Sequence, residues 1–179
     1  KLKRNMGNKE RIKLYELALS ENSKGLTLFY DPASSGNTTA IEIVQDTIHN
    51  NKNTMRIKAN TMSLDQFCSS EHIDKIDFLK IDVEGFENFV LIGANNMIDK
   101  GNISIIQFEY GRANIYSKFF LYDYFQLYSE KFFIGKLYPF GVRWFDAYNT
   151  NLEDFYGPNI IMLSKARSEL YDYFKMDNN

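Results

Sequence analysis

Apolar and polar residues alternate with two different periods along this chain, and the switches between them mark its elements. Positions 12–19 alternate in the manner of a half-buried strand. A polar turn at 20–25 precedes a second short strand at 26–30, which Asp31-Pro32 stops. Residues 33–54 are rich in Ser, Thr and Asn with one apolar patch at 41–44, which predicts a loop holding a single short element. A strand pattern returns at 55–60, and Ser63 followed by Gln66 is a capping-box signature for a short helix. Residues 76–81 form a short, bounded apolar run, the pattern of a strand buried inside a sheet. Beyond them Phe86, Val90, Ala94 and Met97 recur at the helical period. Residues 103–110 read as the next strand, and Leu121, Tyr124, Phe125, Tyr128 and Phe132 have helical spacing. The last two strands are expected at 133–137 and 159–163, separated by an aromatic, irregular segment at 138–156. The opening at 1–8 is polar, and the tail from Arg167 reads as a frayed helix.

Strand, helix, strand, helix, strand across 76–137 argues for an α/β fold with a mostly parallel sheet covered by helices. The 179 residues suffice for one domain and are too few for two. Twelve Tyr and fifteen Phe supply large packing bodies and leave some rings for a cleft. With 21 basic against 23 acidic residues there is no basic field for nucleic acid, and no apolar run is long enough for a membrane span. A lone cysteine, Cys68, excludes an internal disulfide and fits a reducing, cytoplasmic setting.

Chemistry concentrates in one stretch. Ligands of open α/β sheets bind at the carboxyl ends of strands. Asp82 and Glu84 fall just past the strand at 76–81, and Gly85 permits the chain to turn there. Asp82 either faces a ligand or caps the following helix. Glu84 and Glu87 either point into the rim or are first-turn acids favoured by the helix dipole. Glu109 closes the next strand near the same rim, as a second functional acid or as an ion-pair partner of Arg112 or a lysine. Hard cations want several such oxygens. The residue types allow this, but no D-x-D-type cluster with flanking polar ligands is present, so no metal site is expected. His49 and His72 match no metal spacing and sit beside no predicted strand end. The segment around Arg143 and Trp144 either shapes an acceptor site or is a packed aromatic loop.

These residues carry a resemblance. Ser63-Leu64-Asp65, then Ile76-Asp77-Phe78-Leu79-Lys80-Ile81-Asp82-Val83-Glu84-Gly85 with Glu87, then Val90-Leu91 and Gly93-Ala94, resemble the FkbM-type methyltransferases. Ile106-Gln107-Phe108-Glu109-Tyr110-Gly111, Ala18-Leu19-Ser20 and Asn159 before an apolar strand extend the similarity over roughly 10–165. The resemblance implies a Rossmann-like sheet and methyl transfer from S-adenosylmethionine to a hydroxyl, first of all one of a sugar or glycan. It implies catalytic roles for Asp82, Glu109 and Glu84, and cofactor contacts from Leu64, Asp65, Asp82 and Val83. Acceptor contacts would come from Glu87, Tyr110, Arg143 and Trp144. The alternative is a non-catalytic assembly domain that keeps the scaffold. The family's Gly-rich cradle and ribose-binding acid have no counterpart here. The whole of 1–179 is therefore expected to be the C-terminal portion of one methyltransferase domain, its first strands cut away or left out, supplied by a partner subunit, or dispensed with by rearrangement into a smaller sheet. On that reading the chain alone binds the cofactor poorly.

Overall fold

A computed structural model of the chain describes residues 11–33, 36–51, 53–157 and 159–176. In chain order they form β1 (Ala18–Leu19), β2 (Leu26–Tyr30), α1 (Glu42–Thr47), β3 (Met55–Ala59), β4 (Thr61–Met62) and α2 (Leu64–Ser70). There follow β5 (Ile76–Ile81), α3 (Glu87–Ile92), α4 (Asn95–Asp99), β6 (Ile103–Phe108), α5 (Ala113–Ser117) and α6 (Leu121–Tyr128). The chain closes with β7 (Phe132–Tyr138), β8 (Gly141–Phe145), β9 (Ile160–Ser164) and α7 (Tyr171–Phe174). The polar opening at 1–8 lies outside the described residues.

Five strands make the main sheet, in the order β5-β6-β9-β7-β8. Only β5 and β6 are parallel in it; β6–β9, β9–β7 and β7–β8 are antiparallel. The expected mostly parallel sheet is thus corrected to a mixed one. The physical reason is connection length. Pro139 and Phe140 alone join β7 to β8, a hairpin link that cannot carry a parallel crossover. That hairpin also places a strand, β8, inside the segment read as irregular. β9 is buried at every residue, and its neighbours β6 and β7 flank it on both sides.

β5 differs from its expected place as well. Among the described strands it pairs only with β6, and Phe78 on it is 51 % exposed. The small pairs β1–β4 (parallel) and β2–β3 (antiparallel) form sheets of their own and do not join its free side. Of the alternating stretch at 12–19, only Ala18–Leu19 is strand.

One face of the main sheet is closed by α3 and α4, whose Val90, Leu91, Ala94, Met97 and Ile98 are buried with Ile103, Ile106 and Phe108. Each of these side chains larger than Ala94 contributes about 1.5–3 kcal/mol through burial. The helix read as one piece is two, because Gly93 backs directly onto the β1 end. A Cβ there would stand 2.2 Å from the Ser20 carbonyl oxygen. Asp65 then caps the second piece, accepting from the amides of Asn96 at 2.9 Å and Met97 at 3.0 Å. The Ser63–Gln66 capping box at the start of α2 is present in both directions.

Candidate active site

Pairing of β5 with β6 aligns two acids. Ile81 lies opposite Phe108 at the end of the ladder, so the next residues, Asp82 and Glu109, emerge side by side at the carboxyl ends. The chain then reverses sharply: Glu84 has φ +53 and Gly85 φ +96, both left-handed. Gly85 is required twice over, since a Cβ would also meet the Ala113 Cβ at 3.0 Å and the Ala113 carbonyl oxygen at 3.1 Å. Glu87 holds the turn from inside. Its Oε1 accepts from the Val83 amide at 3.3 Å and the Gly85 amide at 3.2 Å, and the residue is only 1 % exposed. The reversal swings Glu84 back over the strand ends. Oxygens of Asp82, Glu84 and Glu109 come within 4.8 Å of one another.

The three acids stand at the seam of two cavities. One, of about 450 Å³, is mostly apolar and includes Leu19, Leu28, Leu79, Ile81, Phe86 and Val90, with Asp82 and Val83 on its wall. The other, of about 430 Å³, is polar and holds Glu84, Glu87, Glu109, Tyr110, His49 and Asn114, with Arg112 beside them. Both volumes fall in the range of small-molecule sites.

Electrostatics in the seam are unbalanced. Burial pushes the Glu84 carboxyl up to about 7, with Glu109 and Asp82 adding to the effect. Burial also pushes Glu87 up to about 7, against the pull of its backbone hydrogen bonds. Glu109 is raised by burial and by Asp82, opposed by Lys80. Lys80 donates to Asp82 at 2.8 Å, an exposed contact of small energetic weight.

His49 was set aside by the sequence reading, yet its Nε2 lies 3.5 Å from a Glu84 oxygen. The loop after α1 brings it there. Buried Gln45 donates to the Phe29 carbonyl at 2.9 Å and to that of Asn37, and accepts from Asn51 Nδ2 at 3.1 Å. These bonds fold 37–51 over the strand ends. Burial first, then Arg112, hold the imidazole below its ordinary range, so it is neutral near pH 7. Nothing in the local sequence signals this approach, because it depends on contacts between residues far apart along the chain. Asn114 was likewise not singled out in the sequence, and Arg112 only as a possible ion-pair partner of Glu109.

The remaining expectations divide. Val83 lines the apolar cavity, and Glu87 and Tyr110 line the polar one. Tyr110 is 1 % exposed, and its hydroxyl donates to Glu153 and not to open space. Burial and Glu153 both hold its proton on far above the usual range. Leu64 is in the core at 3 % exposed, and Asp65 is the cap of α4, so neither borders these two cavities. Arg143 and Trp144 stand away from both cavities. They lie on β8, the opposite edge of the sheet from β5, and the Trp144 indole stacks on Tyr171 at 5.1 Å. Trp144 Nε1 donates to the Tyr171 carbonyl at 3.1 Å, which makes it a clasp for the C-terminal segment.

A helix-backed sheet that gathers acids at adjacent strand ends, between an apolar and a polar cavity, has the form of a methyltransferase-like α/β domain. Comparison with protein families narrows this. The family described as the methyltransferase FkbM domain matches residues 1–133, and the chain belongs to that family. The matched residues reach from residue 1 to the start of β7 and include every acid of the seam. No curated protein and no solved structure shows significant similarity to the chain. No helix among the described residues is long and apolar enough to cross a membrane.

Proposed function

We propose that this domain serves S-adenosylmethionine-dependent O-methylation, with the apolar cavity on the donor side and the polar cavity on the acceptor side. The observation that carries the reading is the position of Asp82, Glu84 and Glu109 at the seam between the two. S-adenosylmethionine, when bound, supplies a methyl carbon already activated by a cationic sulfur. The residues fit that group in part. Apolar walls from Leu19, Leu79 and Val90 suit an aromatic base, and Asp82 suits the positive sulfur. Among the described lining residues there is no glycine and no carboxylate besides Asp82; the other polar side chains on this wall are Thr38, Thr39 and Lys80.

The chain's own groups do the rest. Glu109 accepts a hydrogen bond from the acceptor hydroxyl and takes its proton as the new C–O bond forms. Glu84 and Asn114 orient neighbouring hydroxyls, one as acceptor and one as donor. A wall that both donates and accepts over about 430 Å³ suits a polyhydroxylated acceptor, a sugar or glycan, better than an apolar one. Alignment of acceptor and donor across the seam supplies most of the rate. No nucleophilic side chain is needed, in keeping with a direct displacement.

The test is methyl transfer from radiolabelled S-adenosylmethionine to a panel of free sugars and glycans, using the protein at its native length. Asp82→Ala is expected to abolish transfer with an unchanged circular dichroism spectrum. Full turnover in that variant removes Asp82 from the mechanism, and absence of any labelled sugar in the wild type removes the acceptor class.

A further inference from the structure

The acids of the seam carry more negative charge than their surroundings balance. Asp82, Glu84 and Glu109 converge, and Glu87 stands in the wall of the cavity that holds Glu84 and Glu109. Among the described residues two cationic side chains accompany them: Lys80, which bonds Asp82, and Arg112, which lines the polar cavity. Neutral His49 offers Nε2, which lacks a hydrogen-bond partner. With all four carboxylates ionised, they exceed the two cationic side chains by two negative charges, and the burial that raises Glu84 and Glu87 to about 7 opposes that state until a cation is bound. A divalent cation removes that excess.

A second observation points the same way and does not depend on the cluster. Glu87 is 1 % exposed, yet its Oε2 has no hydrogen-bond partner while its Oε1 serves two amides. An unpaired buried carboxylate oxygen costs several kcal/mol unless a ligand or proton meets it. Asn114 repeats the pattern on the donor side: at 1 % exposed, its Nδ2 is unpartnered while its Oδ1 accepts from the Gly111 amide at 2.9 Å. Two residues of the cavity wall therefore hold buried polar atoms that lack a partner among the described residues.

The geometry also matches. Two oxygens on opposite sides of a bound ion stand about 4.2 Å apart for Mg²⁺ and about 5 Å for Ca²⁺. Oxygens within 4.8 Å of one another reach an ion at their centre with small rotations of the exposed Asp82 and Glu109 and the half-buried Glu84. Oxygen donors with at most one imidazole select a hard ion such as Mg²⁺ or Mn²⁺ over zinc, which favours thiolate and several imidazoles.

We propose that Asp82, Glu84 and Glu109 form a binding site for one hard divalent cation, with Glu87 behind them and open coordination positions facing the polar cavity. This revises the expectation of no metal site, which rested on the absence of a local acidic motif. Tertiary contact between two strand ends and a reversed turn builds what no local spacing spells. Binding of the ion stands on the geometry alone. Its role rests on the methyl-transfer reading: an acceptor with adjacent hydroxyls would place its oxygens on the ion's open positions, which fixes the reacting oxygen at the seam.

The experiment is Mn²⁺ binding to the full chain, followed by loss of the free-ion paramagnetic resonance signal, with Mg²⁺ as competitor. One Mn²⁺ per chain, displaced by Mg²⁺, is expected. Glu84→Gln and Glu109→Gln should each weaken it by at least the roughly 10- to 100-fold that even an outer-shell partner contributes. Glu130→Gln, on the exposed surface after α6, should leave it unchanged. If Glu84→Gln fails to fold, Asp82→Asn at the exposed strand end gives the same reading. No stoichiometric Mn²⁺, or binding indifferent to these substitutions, overturns the site. Methyl transfer that runs at full rate in chelator while Mn²⁺ does not bind overturns the cation and leaves the transfer reading intact. Stoichiometric Mn²⁺ with no methyl transfer to any acceptor keeps the site and overturns its role.

Discussion

Glu84 combines two local penalties. It is a non-glycine residue at φ +53, a conformation that costs an L-residue roughly 1–2 kcal/mol. It also brings a half-buried charge beside two others. A residue that served stability alone would be glycine here, as its neighbour Gly85 is. Glu84→Gly removes both penalties and adds back about 0.4–1 kcal/mol of unfolded-chain entropy. Urea unfolding should therefore find the variant as stable as the wild type or more so, while Mn²⁺ affinity and turnover fall. A clear loss of stability would mean that the side chain is structural, held by its contacts and not by the chemistry of the seam.

At the scale of elements, two acids of similar sequence standing separate cleanly. Asp65 and Asp82 both follow strands, and both resemble family site positions. Asp65 accepts the two first-turn amides of α4 and the Asn96 side chain, whereas Asp82 is half exposed and, among the described residues, bonds only an exposed lysine. Asp65→Ala should lower stability by about 0.5–2 kcal/mol, as loss of an N-terminal cap does. Asp82→Asn should leave the unfolding midpoint unchanged. The reverse order of the two midpoints would sink this division of roles. The split between α3 and α4 at Gly93 belongs to the same scale: close approach of Ser20 interrupts a helical pattern that runs without a break in the sequence.

For the molecule as a whole, the sheet is strongest at its middle and open at one side. β9 is buried throughout and paired on both edges, while β5 is paired on one edge only among the described strands. Native-state amide exchange should show β9 and β6 as the most protected strands and the unpaired amides of β5 among the fastest in the sheet. Uniform protection across β5 in solution would show its free edge to be covered by another strand.

Much of this was legible from the chain alone. Alternation and apolar runs mark β2, β3, β5, β6, β7 and β9 because strand burial is written every second residue or in short unbroken runs, and α2 is announced by its capping box. Asp82, Glu84 and Glu109 could be singled out because strand ends in such sheets are where chemistry sits. Tertiary structure decided the rest. It set the antiparallel share of the sheet, the edge position of β5, and the removal of Arg143 and Trp144 to the far side. It also brought His49 and Asn114 to the acids and left Glu87 with an unpaired oxygen. Local pattern records which side of an element is buried. Which elements meet, and hence which charges face one another, is fixed only by long-range pairing and loop closure.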